Sequence, residues 1–204
     1  MKAIQAAVHI MDKGVRFLGG NFKSLIRIVT YIPGKGGTDG KGNSADDLAD
    51  TVKGVTYWKM PNWKNEEDRL WVAVHEMGHI VAFKEWPQMM DYFMGELQST
   101  CSNQPVDRVG FYCNENQQPG VDYRPGRFAG TTADPNKYMP SNYATKGSYE
   151  DFAETWREVV TRAYIRSGDT TYLRQAQLVY NHTLNHHIGR RRKVMNSIIN
   201  GSWR

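Results

Sequence analysis

His75, Glu76 and His79 stand together inside the apolar run WVAVHEMGHIVAF, residues 71–83. Burying such polar groups without partners costs a few kcal/mol each, so something must satisfy them. Three arrangements can: a chance histidine pair, a hydrogen-bonded core network, or a metal ion. Residues four apart on a helix stand one above the other, so His75 and His79 can offer two ring nitrogens to one zinc ion. Glu76 projects about a quarter turn round, beside the position a catalytic metal leaves open, where a carboxylate can accept a proton. The pattern H-E-x-x-H is therefore met with the helical context it needs.

The elements that must position these residues follow from the flanking pattern. Between Leu70 and Phe83 apolar side chains point in nearly every direction, which marks a helix enclosed by protein, running from about Asn65 to Lys84. Before it, residues 3–18 read as an amphipathic helix, while SLIRIVTYI (24–32) and GVTYWK (54–59) read as strands. The glycine-rich segment 33–47 is a loop. It is no phosphate loop, because Lys35 replaces the required first glycine and Gly42 follows Lys41. It is no calcium-binding EF-hand loop either, because Ser44 takes the glycine position. After Pro87 a helix runs to Gln98, and residues 102–147, rich in Pro, Gly and Asn, carry little regular structure. SYED at 148–151 is a capping-box pattern opening a helix to about Arg166, and a last helical stretch spans 171–199. The expected class is α+β in one domain over residues 1–204. A small N-terminal sheet with the buried histidine helix fills about 1–86, and a mainly helical lobe fills about 87–204.

Zinc catalysis needs a third protein ligand and an open fourth position. The continuation H-E-x-x-H-x-x-G-x-x-H is excluded, since Ala82 and Glu85 stand where it needs glycine and histidine. A glutamate from a later helix is the alternative, and YATKGSYEDFAETW (143–156) contains such glutamates. HEMGH followed some seventy residues on by YATKGSYEDFAE resembles the gluzincin peptidases related to the catalytic domain of anthrax lethal factor and to the bacterial Pro-Pro endopeptidases. The resemblance covers roughly residues 53–165 and implies a zincin-like metallopeptidase fold with one Zn2+ per chain. It further implies His75, His79 and Glu150 as zinc ligands, Glu76 as general base, and Tyr143, seven residues before Glu150, as a hydroxyl donor to the oxyanion. Glu154, one turn after Glu150, would by the same resemblance orient His75 through its other ring nitrogen. Against this stands the helical wheel. Phe152, Trp156, Val159, Val160 and Ala163 form an apolar stripe, and both glutamates point away from it, as solvated carboxylates would. The expected activity is that of a zinc metalloendopeptidase acting on a peptide or protein substrate. The alternative is a non-catalytic module, zinc-bearing or basic.

Composition bounds the partners. The chain has 204 residues, with 40% hydrophobic residues and six tryptophans, which excludes a disordered polymer. Net charge is +5, but the basic residues are dispersed except at Arg190–Lys193, which reads as a solvated helix face, so no specific nucleic acid is expected. His182, His186 and His187 likewise read as part of a polar face. No apolar run approaches the ~20 residues of a membrane span, and no convincing leader with a cleavage site is seen. Cys101 and Cys113 flank a loop-like segment and are either a disulfide, which would suit an extracellular setting, or two free thiols. A monomer is expected.

Overall fold

Every residue from Asp151 to Thr161 is buried, so the helix that holds them lies at the centre of the described elements. The computed structural model describes residues 2–25, 28–30, 49–52, 55–58, 66–85, 88–98, 111–112, 121–122, 140–141, 143–146, 148–183 and 188–204. Its helices are α1 (Lys2–Phe17), α2 (Phe22–Leu25), α3 (Glu66–Lys84), α4 (Gln88–Gln98), α5 (Ser148–Arg166), α6 (Leu173–Asn181) and α7 (Gly189–Asn200). A 3₁₀ turn, Tyr143–Lys146, leads into α5.

Helix α5 packs against α3, α1 and α6, with α7 and α4 completing its surroundings. The sequence permits this because apolar residues occur on every element at helical spacing. Ile10 and Met11 of α1, Val74, Met77 and Val81 of α3, Phe93 of α4, Phe152, Trp156 and Val160 of α5, and Met195 and Ile198 of α7 share one core. Phe93 and Phe152 meet edge to face with ring centroids 5.0 Å apart. Two glycines set how closely the helices cross. A Cβ built on Gly14 of α1 would lie 2.3 Å from the Val160 carbonyl oxygen, and one on Gly78 of α3 would lie 2.7 Å from the Ala153 Cα. Only hydrogen fits at either place.

The expected α+β class is corrected to a helical one. The backbone of β1 (Ile28–Thr30), β2 (Ala49–Val52) and β3 (Val55–Trp58) pairs in the order β1-β3-β2, β1 parallel and β2 antiparallel to β3. Among the residues whose side chains are described, however, there is no strand and no sheet, and that part is 80% helical. Among the described residues the core is made by helices, and the histidine helix finds its main cover in α5 and α1. The physical reason is that α1, read as an amphipathic helix, lays its apolar face into the interhelical core, where Ala7, Ile10, Met11 and Val15 are all fully buried.

Two further expectations change. The stretch 171–199 is interrupted: α6 ends at Asn181, where the His182 and Thr183 amides bond back to the Val179 and Tyr180 carbonyls, and α7 begins at Gly189. The basic run is not a solvated face. Arg191 is fully buried with its Nε 3.0 Å from Asp151 Oδ1, Arg192 donates to Glu158 at 3.0 Å, and Arg190 donates to the Glu96 carbonyl at 2.8 Å. Only Lys193 of the four is exposed. Cys101, Cys113, His186, His187, the glycine-rich segment 33–47 and most of the loop 102–147 lie outside the described residues. Among the described residues no helix is long and apolar enough to cross a membrane.

Candidate metal centre

Helices α3 and α5 cross at Gly78, which lies between the two histidines in the HEMGH sequence, and at Ala153, which lies between Glu150 and Glu154. Two small residues at the crossing therefore bring the polar faces of both helices together at contact distance. His75 Nε2 and Glu150 Oε2 are 3.0 Å apart, His79 Nε2 and His75 Nε2 3.1 Å, and His79 Nε2 and Glu150 Oε2 3.3 Å. Three ligand atoms thus form a nearly equilateral triangle. A tetrahedral zinc site with bonds of ~2.0–2.1 Å separates its ligand atoms by about 3.3 Å, close to these edges. Two imidazole nitrogens and one carboxylate oxygen are also a donor set that suits zinc. The His75, His79 and Glu150 group can hold a metal ion.

The other side of His75 is fixed as tightly. Its Nδ1–H donates to Glu154 Oε1 at 2.6 Å, which leaves Nε2 turned toward the triangle. Glu154 is itself fully buried and gripped by Arg157, whose Nη2 donates to Oε2 at 2.7 Å and whose Nε donates to Oε1 at 3.3 Å. The remaining guanidinium nitrogen, Nη1, donates to the Val179 carbonyl at 2.7 Å, near the end of α6. Trp71, one turn before His75 on α3, stacks on the His75 ring at 5.5 Å and lies 5.6 Å from the Arg157 guanidinium carbon.

The electrostatics follow from this packing. Burial works against a charge on His75, yet the hydrogen bonds to Glu150 and Glu154 outweigh it and raise its pKa to about 10. Burial pushes the Glu150 carboxyl up, but hydrogen bonds from His75 and His79 outweigh it and lower its pKa to about 2. At Glu154 burial is likewise overcome, chiefly by the Arg157 charge and the His75 bond, so the group stays ionised well below the usual carboxylate range. The raised His75 pKa favours a proton between the two carboxylates, and a cation binding there would have to displace it.

Of the residues named from sequence, His75, His79, Glu150 and Glu154 come together directly. Tyr143, in the turn before α5, places its ring 5.4 Å from the His75 ring and 6.2 Å from Trp71, with 37% of its surface exposed. Glu76 is half-buried, and its charge is among those that raise the His75 pKa. His182 is exposed, its ring 6.3 Å from Trp71. Reading the carboxylates of α5 as solvated fails for Glu154, which has no exposed surface. Arg157 and Trp71 went unnoticed in the sequence. Their signal was spacing alone, Arg157 three residues after Glu154 and Trp71 four before His75. Asp151, beside Glu150, turns away to Arg191 and takes no part in the triangle.

Compared with family models, with curated proteins and with solved structures, the chain matches none.

Proposed function

We propose that this protein is a zinc-dependent endopeptidase. The observation that carries the reading is the triangle of His75 Nε2, His79 Nε2 and Glu150 Oε2 beside a glutamate, Glu76, that the triangle itself does not use. A purely structural zinc site closes its fourth position with another ligand. Here Glu76 adjoins the first histidine, and a half-buried carboxylate in that position suits proton transfer. The resemblance of HEMGH and YATKGSYEDFAE to the lethal-factor-like gluzincins supports the same assignment.

His75, His79 and Glu150 would hold the zinc, which when bound would supply Lewis acidity that lowers the pKa of a water in the site. Glu76 accepts a proton from the attacking water and returns it to the departing amine. The Tyr143 hydroxyl, at the exposed edge of the site, donates to the carbonyl oxygen as charge develops there. Glu154, held by Arg157, keeps the His75 ring in the orientation that presents Nε2.

The test is a pair of measurements on one variant. Glu76→Gln leaves the three ligands in place, so zinc is expected at one per chain in both proteins. Cleavage of a proteome-derived peptide library should fall by about 10²–10⁴-fold in the variant, the usual worth of a positioned base. A parent protein that retains no zinc after dialysis, or a variant that cuts as fast as the parent, would refute the mechanism.

A further inference from the structure

Aromatic rings continue outward from the metal centre. Trp71 stacks on His75 with centroids 5.5 Å apart and an interplanar angle of 25°, and its ring also lies 6.3 Å from that of His182. Tyr143 meets both His75 and Trp71 edge to face, at 5.4 and 6.2 Å. The strip opens to solvent as it leaves the triangle: His75 is buried, Trp71 is half-buried, and Tyr143 and His182 are exposed. One guanidinium holds its outer end. Arg157 grips Glu154 and also donates through Nη1 to the Val179 carbonyl, to which the His182 amide bonds at the end of α6. The side chain that steadies the partner of His75 therefore also sets where His182 stands, and the strip keeps a fixed place beside the triangle.

Charge narrows what can lie there. The Arg157 guanidinium carbon is 5.6 Å from the Trp71 ring centroid, so a lysine or arginine would meet a ring that already faces a cation. A carboxylate would meet the charge of Glu76, and Arg157, fully buried and paired with Glu154, is closed to it. A flat uncharged ring gains from stacking or edge contact with each of these aromatic side chains.

We propose that Trp71 and His182, with Tyr143 beside them, form a substrate-binding strip that selects peptides carrying an aromatic side chain one or two residues from the scissile bond. This specificity rests on the peptidase reading. An extended chain advances about 3.3–3.6 Å per residue, so a side chain that close to a carbonyl at the triangle reaches Trp71. Trp71 and His182 bind; they take no part in proton transfer.

The test is calorimetric titration of the full chain carrying Glu76→Gln, in which a bound peptide persists uncut. The probes are capped hexapeptides, alike except for one central residue: Phe, Ala, Lys or Glu. The Phe peptide should bind more tightly than the other three by at least about threefold, the worth of one aromatic pair. Adding His182→Ala should remove more than half of that advantage, and adding Trp71→Leu should remove nearly all of it. His182 is exposed, so its variant folds as the parent does and decides the matter even where Trp71→Leu, beside His75, loses zinc or unfolds. Cutting of a peptide library by the parent is read separately: a parent that cuts nothing refutes the peptidase, whereas the binding preference is measured on the variant regardless. The inference is overturned if the Phe peptide shows no binding in the millimolar range, if its advantage over any of the other three falls short of about threefold, or if His182→Ala keeps half of the advantage or more.

Discussion

Helices α3 and α5 cross at the candidate metal centre, α3 giving two corners of the triangle and α5 the third, yet they handle polarity in opposite ways. In the buried part of α3, from Leu70 to Ala82, the ionisable side chains are His75, Glu76 and His79, and everything else is apolar or small. In α5, from Glu150 to Thr161, Glu150, Asp151, Glu154, Arg157 and Glu158 alternate with apolar residues, and all but Glu150 are fully buried. Polarity on α3 therefore marks the site. Polarity on α5 is divided between the site and assembly: Glu150, Glu154 and Arg157 serve the histidines, while Asp151 and Glu158 receive Arg191 and Arg192 of α7. A charge is retained in such an interior only when paired, and both sets of pairs meet that condition.

The largest expected effect separates the two roles on α5. Asp151→Ala leaves Arg191 buried without its carboxylate, and breaking a buried pair in this way costs about 3–5 kcal/mol. Urea unfolding should show a loss of that size while the folded fraction still takes up one metal per chain. A variant that keeps its stability but loses the metal would make Asp151 a member of the site and erase the division.

The next effect tests the crossing that joins the two helices. Gly78→Ala puts a methyl group 2.7 Å from the Ala153 Cα and 3.2 Å from its Cβ, so the helices must separate. Overpacking of this kind costs about 1–3 kcal/mol, and because Glu150 and Glu154 flank Ala153, metal affinity should fall along with stability. Gly95→Ala on α4 meets nothing within 4 Å and should instead raise stability by about 0.5–1 kcal/mol. Equal thermal shifts in the two variants would show that the crossing tolerates separation.

This contrast also explains what was legible beforehand. The α3 site could be read from residues 71–83 because an apolar run containing two histidines four apart has few other uses. The bounds of α3, α4 and α5 fall within a residue or two of the expected ones. The burial of Asp151 and Glu158 on α5 is not legible, because a helical wheel assumes that charged faces meet water, and the partners Arg191 and Arg192 lie 40 and 34 residues away in sequence. Arg157 is hidden by the same assumption, since its spacing from Glu154 reads as an exposed i,i+3 pair. The α+β expectation fails because, in sequence, short β-branched stretches outweigh the apolar face of α1, whose place against α5 depends on residues far apart in the chain.

A smaller effect distinguishes orientation from ligation. Glu154→Gln preserves shape and a hydrogen-bond acceptor for His75 Nδ1 but removes the charge, and loss of such a partner typically weakens metal binding about 10- to 100-fold. Glu150→Ala, by contrast, removes one corner of the triangle and should abolish stoichiometric binding. Competition with a chromogenic chelator measures both. If Glu154→Gln binds metal as tightly as the parent, Arg157 and Glu154 belong with the assembly charges of α5, and the division between the two helices becomes sharper.

The smallest expected effect is the pH dependence of metal uptake, about tenfold, or ~1.4 kcal/mol, per unit. In the metal-free protein His75 carries a proton up to about pH 10, because Glu150 and Glu154 hold it there against the penalty of burial. A metal needs the Nε2 lone pair, so binding must expel that proton, and apparent affinity should climb about tenfold for each unit between pH 7 and 9. Glu150, with its pKa lowered to about 2, is ionised throughout this range and adds no slope. Stability of the metal-free protein should run the other way. A histidine whose folded pKa is raised contributes fully below its ordinary value of 6.5, and that contribution is lost as pH rises through about 10. Between pH 7 and 10 the metal-free form should therefore melt at progressively lower temperature while the metal-bound form holds or gains. Chelator competition and thermal melts across that range measure the two slopes. An affinity independent of pH would mean that the carboxylates of α5 do not hold a proton on His75, and that the two helices meet without electrostatic coupling.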